Sequence, residues 1–81
     1  MNSEEKNSDF HIFPNPATNK IDLSGNFSGN DFSYSVIDLQ GQIFLTGNNE
    51  MEIEISDLVP GVYCIRIESG FGLALERFLK F

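Results

Sequence analysis

Short runs in which apolar and polar residues alternate make up most of this chain, and turn-forming residues separate the runs. The clearest run covers residues 50–55, where Met51, Ile53 and Ile55 alternate with three glutamates. A period of two puts alternate side chains on opposite faces of a β-strand, so we expect the apolar set to face a core and the glutamates to face water. Runs of this kind predict seven strands, at residues 10–13, 18–23, 32–39, 42–46, 50–55, 62–68 and 73–81.

Turn-forming residues fix where the predicted strands end. Pro14 and Pro16 stop the first strand, because proline has no N–H and a fixed φ. Gln40 and Gly41 fit a hairpin in which the glycine takes a positive φ. Residues 24–31 are rich in Gly, Asn and Ser and predict a loop, and residues 58–61 predict a corner in which Gly61 leads the chain into the sixth strand.

These elements predict the fold class. No window of eleven residues has apolar residues at helical spacing, so we expect almost no helix. Seven short strands over this length predict an all-β fold, specifically a seven-stranded antiparallel immunoglobulin-like sandwich. Within it, Ile21 and Leu23 face inward from the second strand, and Tyr63, Ile65 and Ile67 face inward from the sixth.

The length of 81 residues supports one hydrophobic core and therefore one domain. Residues 1–9 are polar and charged, and they have no large apolar groups beyond Met1 to offset the entropy of ordering the backbone. We expect them to be a flexible linker and residues 10–81 to be the domain. Because Met1 comes directly before this linker, the sequence also suggests a fragment of a longer protein.

Charge and cysteine content narrow the classes of partner. Five basic against twelve acidic residues give a net charge of −7, which repels a phosphate backbone or an anionic lipid surface, so nucleic acid is not an expected partner. The single cysteine, Cys64, excludes an internal disulfide and a multi-thiolate zinc site. No run of about 18 apolar residues could form a transmembrane helix, and the opening segment lacks the features of a signal peptide.

Residues with catalytic chemistry are few. His11 and Cys64 are the only pair that could act as base and thiol nucleophile, and neither stands in a context that would activate a thiol, so Cys64 is interpreted as a packing residue. Glutamates at alternate positions of one strand form a solvated row rather than an acid–base pair facing across a cleft. We therefore expect no enzyme activity and no small-molecule substrate.

The loop at residues 24–31 is the remaining candidate for a ligand site. It lacks the spacing and the lysine of a phosphate-binding loop. Asn26, Asn30 and Asp31 could ligate calcium, but the spacing of an EF-hand is absent. We expect no cofactor and no bound metal.

Three segments, taken in order, carry a family resemblance. They are FPNPATN near the start, YSVIDLQGQIF in the middle, and DLVPGVYCIRI before a terminal ERFLKF. This arrangement resembles the C-terminal sorting domain of proteins exported by the type IX (Por) secretion system of Bacteroidetes. The resemblance extends over residues 10–81 and implies a set of recognition and motif residues: Pro14, Asn15, Pro16, Gly41, Gly61, Tyr63, Arg77, Lys80 and Phe81.

The resemblance also implies a function. The chain would direct a larger cargo protein through the outer membrane, with the type IX translocon reading the basic and apolar ending of the last strand. The cargo would pass through the periplasm and then reach the outer membrane and cell surface or be secreted. A sortase-like peptidase would cut in the linker, upstream of Phe10. A weak homodimer through an edge strand is a further expectation.

An alternative function belongs to the same fold. The chain could be an immunoglobulin- or fibronectin-like accessory or adhesin module of a secreted protein, without any sorting role. A third candidate, a small hydrolase, would need a pocket and activated residues that this sequence does not offer.

Overall fold

The computed structural model describes residues 10–25, 31–70 and 72–81. Within these ranges the chain forms seven strands and no helix, so the predicted all-β class and strand number are confirmed. The predicted linker at residues 1–9 and most of the predicted loop at residues 24–31 lie outside the described residues. The strands are β1 (His11–Phe13), β2 (Lys20–Ser24), β3 (Phe32–Asp38), β4 (Ile43–Asn48), β5 (Glu52–Glu54), β6 (Gly61–Ser69) and β7 (Gly72–Lys80).

The strands form two antiparallel sheets. One sheet has the order β1-β2-β5 and the other has the order β4-β3-β6-β7. In the larger sheet, β6 pairs with β3 on one side and along its whole length with β7 on the other. The terminal strand β7 is therefore the last strand of its sheet and has a sheet neighbour on one side only.

Side chains from both sheets meet in one buried cluster. The predicted inward set is confirmed, because Ile21 and Leu23 of β2 and the alternate residues of β6 are all buried. Burying one such side chain contributes about 1.5–3 kcal/mol relative to leaving it in water. The cluster comprises Phe10, Ile12, Ala17, Ile21, Leu23, Phe32, Tyr34, Val36, Ile53, Ile55, Leu58, Tyr63, Ile65, Ile67 and Phe78.

The segment with the clearest alternation forms a shorter strand than its pattern predicts. Ile53 and Ile55 are buried as expected, but Met51 is 37% exposed, so the prediction that it faces the core was wrong. The physical reason is that the chain between β4 and β5 crosses from the larger sheet to the smaller one. Pairing with β2 begins only at Glu52, and the strand alternation therefore does not extend back to Met51.

The glutamates of this segment are exposed, as the alternation predicted, and two of them have partners. Glu52 forms an ion pair with Lys20 on β2. Glu50 accepts a hydrogen bond from the Tyr34 hydroxyl. The Tyr34 ring lies opposite Gly47, where an added Cβ would come within 2.5 Å of the Tyr34 oxygen. A glycine is therefore required at position 47 for Tyr34 to reach Glu50.

Candidate recognition surface

The terminal strand β7 has apolar side chains on both of its faces. Phe78 points into the core and is 1% exposed, and Ala74 packs against the same core from the same strand. Leu73, Leu75 and Leu79 occupy the alternate positions on the outer face and are exposed. Because the outer face of an edge strand usually carries polar residues, this exposed apolar row needs a separate explanation.

Arg77 interrupts the apolar row of the outer face. The register places it beside Cys64 of β6, with Ile37 of β3 next across the sheet. Its side chain is exposed, and no ion pair to it occurs among the described residues, whereas the neighbouring Arg66 pairs with Glu68 at 3.1 Å. The outer face of β7 thus combines exposed leucines with one accessible positive charge.

Lys80 and Phe81, at the end of the terminal strand, differ in exposure. Lys80 is only 7% exposed, and its Nζ donates a hydrogen bond to the Phe81 carbonyl at 3.2 Å. Phe81 is 63% exposed. Of the two basic residues implied by the resemblance, only Arg77 offers its charge at the surface of the folded chain.

The Pro-Asn-Pro segment lies along the free edge of β7. The Leu79 N–H donates to Asn15 Oδ1 at 3.0 Å, and Asn15 Nδ2 donates to the Arg77 carbonyl at 3.4 Å. The Ala17 N–H donates to the Leu79 carbonyl at 2.8 Å, and the Phe81 N–H donates to the Ala17 carbonyl at 2.9 Å. Residues 15–17 therefore hydrogen-bond to the outer edge of β7, with a parallel bridge between Ala17 and Lys80.

Gly41 lies in the turn between β3 and β4 and has φ of +88°, as predicted. The Asp38 carboxylate organises this turn, since its Oδ1 accepts the N–H groups of Gln40 and Gln42 at 2.9 Å each. An Asp side chain that bonds the backbone just after it is a common turn-forming device. This turn therefore joins β3 to β4 as a hairpin.

Gly61 begins β6, and Tyr63 follows it into the core. The Tyr63 ring stacks on Phe78 with centroids 5.8 Å apart, and Phe44 meets it edge-on at 5.7 Å. Its hydroxyl donates to the Val59 carbonyl at 2.6 Å, which satisfies the polar group of a side chain only 4% exposed. Tyr63 thus fixes the corner before β6 and supports β7 from beneath.

The motif residues gather at one end of the larger sheet. The register sets Asp38 opposite Tyr63 and Gly61 opposite Lys80, so β3 and β7 end where β4 and β6 begin. The Gly41 turn joins β3 to β4 at this same end. The Pro-Asn-Pro segment reaches it through its bonds to β7. Three stretches that are far apart in sequence therefore surround the end of the terminal strand.

Sequence reasoning missed two parts of this surface. It did not single out Leu73 and Leu75, although apolar residues at three successive positions, 73–75, break the alternation of a strand with one solvated face and were a usable signal. It also assigned no contact to the Asn15 side chain. Nothing in the local sequence indicates the partner of that side chain, because the two hydrogen-bonded residues lie 62 and 64 positions away.

The other sites considered from sequence stay apart in the structure. His11 lies on the exposed face of β1, and Cys64 lies on the outer face of β6 in the other sheet. Of the calcium candidates, Asn26 and Asn30 lie outside the described residues, and Asp31 accepts a hydrogen bond from Asn49 Nδ2 at 3.5 Å. Within the described ranges, no three His, Cys, Asp or Glu side chains are grouped as metal ligands would be.

The part of the chain that the structure describes contains no helix long and apolar enough to cross a membrane.

A comparison with protein families gives a match over residues 11–80, to the secretion system C-terminal sorting domain. The chain belongs to this family. The sorting domain is the C-terminal secretion signal of the type IX system, so the sequence-based resemblance and function are confirmed, and the accessory or adhesin alternative is not supported. A comparison with curated proteins gave no match.

Membership of this family gives the general role of the chain. It is a tag on a cargo protein rather than a catalytic domain, and the type IX machinery recognises it. The cargo is exported through the outer membrane to the cell surface or into the medium. How this chain is recognised is the question that its terminal strand raises.

Proposed function

We propose that the type IX translocon binds the sorting domain through the outer face of β7, with Leu75, Arg77 and Leu79 as the contacting side chains. The observation that carries the proposal is the exposed apolar row on an edge strand, with Leu75 57% exposed. Exposed apolar groups with a charged residue among them are characteristic of protein-binding surfaces. The partner that fits is an apolar groove with a carboxylate placed to pair with Arg77.

The other motif residues support this surface from within the fold. Asn15 bonds the edge of β7, Tyr63 packs under Phe78, and Lys80 is held against the fold. Phe81 is 63% exposed and is a further terminal side chain that can contact a partner. In this proposal Arg77 and Phe81 are read directly, and Asn15, Tyr63 and Lys80 keep the strand in place.

The scaffold that holds this surface is, in our proposal, an immunoglobulin-like sandwich. The sheet orders β1-β2-β5 and β4-β3-β6-β7 correspond to the A-B-E and C′-C-F-G sheets of that fold. The bond from the Tyr63 hydroxyl to Val59 supports the same assignment, because a tyrosine near the start of strand F bonds upstream backbone in the tyrosine corner. A rigid sandwich would keep the side chains of β7 at fixed spacing for recognition.

The export route is part of the same proposal. The cargo folds in the periplasm, the translocon takes it across the outer membrane, and a sortase-like peptidase cuts the linker upstream of Phe10. Support for the cut site comes from Phe10 itself, which is 5% exposed and belongs to the core. A cut before Phe10 would leave every described strand intact.

The expected homodimer stays a prediction, and the fold limits where it can form. The β7 edge already carries hydrogen bonds from residues 15–17 along its last part. The opposite edge of that sheet is β4, which pairs with β3 alone among the described strands. A homodimer formed through the β4 edge would not have to displace residues 15–17, so we expect two copies of β4 to pair, and sedimentation at rising concentration would test whether the dimer forms.

The proposed binding surface can be tested with single substitutions in a reporter fusion. The reporter is a periplasm-directed fluorescent protein followed by this chain, expressed in a bacterium with the type IX system. Leu75→Ser and Arg77→Gln should each lower the exported fraction, because losing a contact at the centre of an interface weakens binding by about tenfold. The size of the exported reporter shows in the same samples whether the domain has been removed.

Matched controls come from the same chain. Ile43→Ser removes an equally exposed side chain, 59% against 57%, from the far strand of the same sheet. Lys20→Gln removes one positive charge from the other sheet. Both controls should be exported like the unaltered chain. Equal export of all four variants would contradict the proposal, and so would an equal loss in all four.

A further inference from the structure

The last part of the edge of the terminal strand, at residues 77–81, is already occupied by the chain itself. An edge strand presents N–H and C=O groups that another chain can bind by adding a strand. Along β7, the backbone groups of successive residues point alternately toward β6 and away from it. The groups of residues 77, 79 and 81 that point away from β6 bond to residues 15–17. A partner could add a strand at this end only after displacing residues 15–17.

The residue types of this segment explain why Asn15 is needed. Pro14 and Pro16 have no N–H, so they cannot donate to the carbonyls of β7. Asn15 is placed between them, and a side-chain amide offers an acceptor and a donor at once. Its Oδ1 takes the Leu79 N–H and its Nδ2 reaches the Arg77 carbonyl. The side chain therefore supplies to β7 a donor in place of the N–H groups that Pro14 and Pro16 lack, together with an acceptor.

We propose that Asn15 is a positioning residue of the sorting signal. It closes the edge of β7 at residues 77–79, so that the export machinery reads the outer-face side chains there and not the strand edge. The inference rests on the proposed function, since it assumes that Arg77 and Leu79 are contacted. Asn15 bonds the backbone of both of these residues and so fixes the direction of their side chains. The Pro-Asn-Pro motif and the terminal strand act in this way as one signal.

The first test measures the closed edge directly, in the 81-residue chain in solution. Asn15→Ala should speed hydrogen exchange of the Leu79 amide at least tenfold, because that amide loses its acceptor. Asn19→Ala is the control, since it makes the same chemical change nearby and the Asn19 side chain has no hydrogen bond to any described residue. The Leu23 amide, which bonds the Met51 carbonyl at 2.8 Å, should be unchanged in both variants. Unchanged exchange at Leu79 in Asn15→Ala would overturn the proposal.

The second test separates positioning from stability, using the reporter fusion. Ile53→Val serves as a destabilised reference, because Ile53 is buried in the smaller sheet, away from β7. When the two variant domains have similar melting temperatures, the exported fraction of the Asn15→Ala fusion should be several-fold lower than that of the Ile53→Val fusion. Equal export of these two variants, with Leu79 exchange accelerated, would show a merely structural role and overturn the proposal.

Export of the fusion with the unaltered chain distinguishes a failure of the proposed function from a failure of the positioning role of Asn15. If the fusion with the unaltered chain is not exported, the proposed function fails, and the positioning role in sorting fails with it. If that fusion is exported and Leu75→Ser and Arg77→Gln reduce export while Asn15→Ala does not, only the positioning role is overturned.

Discussion

At the scale of single residues, the two tyrosines show how this small core accommodates polar groups. Tyr34 donates its hydroxyl to Glu50, and Tyr63 donates to the Val59 carbonyl. They lie toward opposite ends of the sheet formed by β3 and β6. Each ring is buried while its hydroxyl finds an acceptor nearby, which avoids the cost of a buried unpaired group. Both ends of the sheet are fixed in this way.

The environment of Tyr34 predicts how stability depends on alkaline pH. Burial first, and then the hydrogen bond and charge of Glu50, raise the pKa of Tyr34 to about 12, from an ordinary value of 10.0. The folded chain therefore favours the protonated phenol. Its contribution to stability is complete below pH 10 and is lost as the pH rises from 10 to 12.

Ultraviolet absorbance of the phenolate during alkaline titration measures this prediction. Subtracting the titration of Tyr34→Phe isolates Tyr34 from Tyr63. Glu50→Gln should move the Tyr34 midpoint down, because the charge of the carboxylate is gone while burial remains. A Tyr34 midpoint at its ordinary value in the unaltered chain would contradict the described contact with Glu50.

Residue-level sequence reasoning succeeded where the cause was local and failed where it was distant. The positive φ of Gly41 and the burial of Ile53 follow from a turn and from alternation, and both were predictable. The exposure of Met51 depends on where the chain crosses between sheets, which alternation does not encode. The contacts of Asn15 depend on a strand more than 60 residues away. Asn15 was named from the family resemblance, without a physical role.

At the scale of elements, β7 serves the core and the surface at once. Its inner face contributes Phe78 to the buried cluster, and its outer face carries the exposed leucines. The strand was predicted at nearly its observed length, because its apolar character is strong. Its position as an edge strand could not be predicted, since strand order depends on pairing rather than on alternation.

The double role of β7 predicts the effect of truncation. Deleting residues 77–81 removes Phe78 from the core and also removes the groups that bond residues 15–17. Replacing a buried Phe by Ala alone costs about 3–5 kcal/mol, which is most of the stability of a small domain. We expect the truncated chain to be unfolded in water.

Circular dichroism and urea unfolding of the truncated chain measure this prediction. Leu79→Ser is the companion variant, because it changes the same strand on its outer face and should remain folded. A truncated chain with a cooperative transition like that of the full chain would contradict the structural role of β7. If the prediction holds, surface substitutions are needed to separate recognition from folding.

At the scale of the whole molecule, charge and surface chemistry fit a recognition tag. The chain carries a net charge of −7, while one face of its terminal strand offers leucines and an accessible arginine. Net negative charge repels a phosphate backbone, and in our proposal the distinct patch supplies the contact for the type IX translocon. The all-β class of the fold was predictable from composition and pattern. The location of the patch required the strand order.

Whether this chain is sufficient for type IX export can be measured directly. The fluorescent reporter fused to the chain is expressed in two otherwise identical strains, with and without a functional type IX translocon, and the reporter outside the outer membrane is measured. We predict export in the first strain and periplasmic retention in the second. Retention in both strains, or export in both, would contradict the conclusion that the chain is a type IX sorting signal.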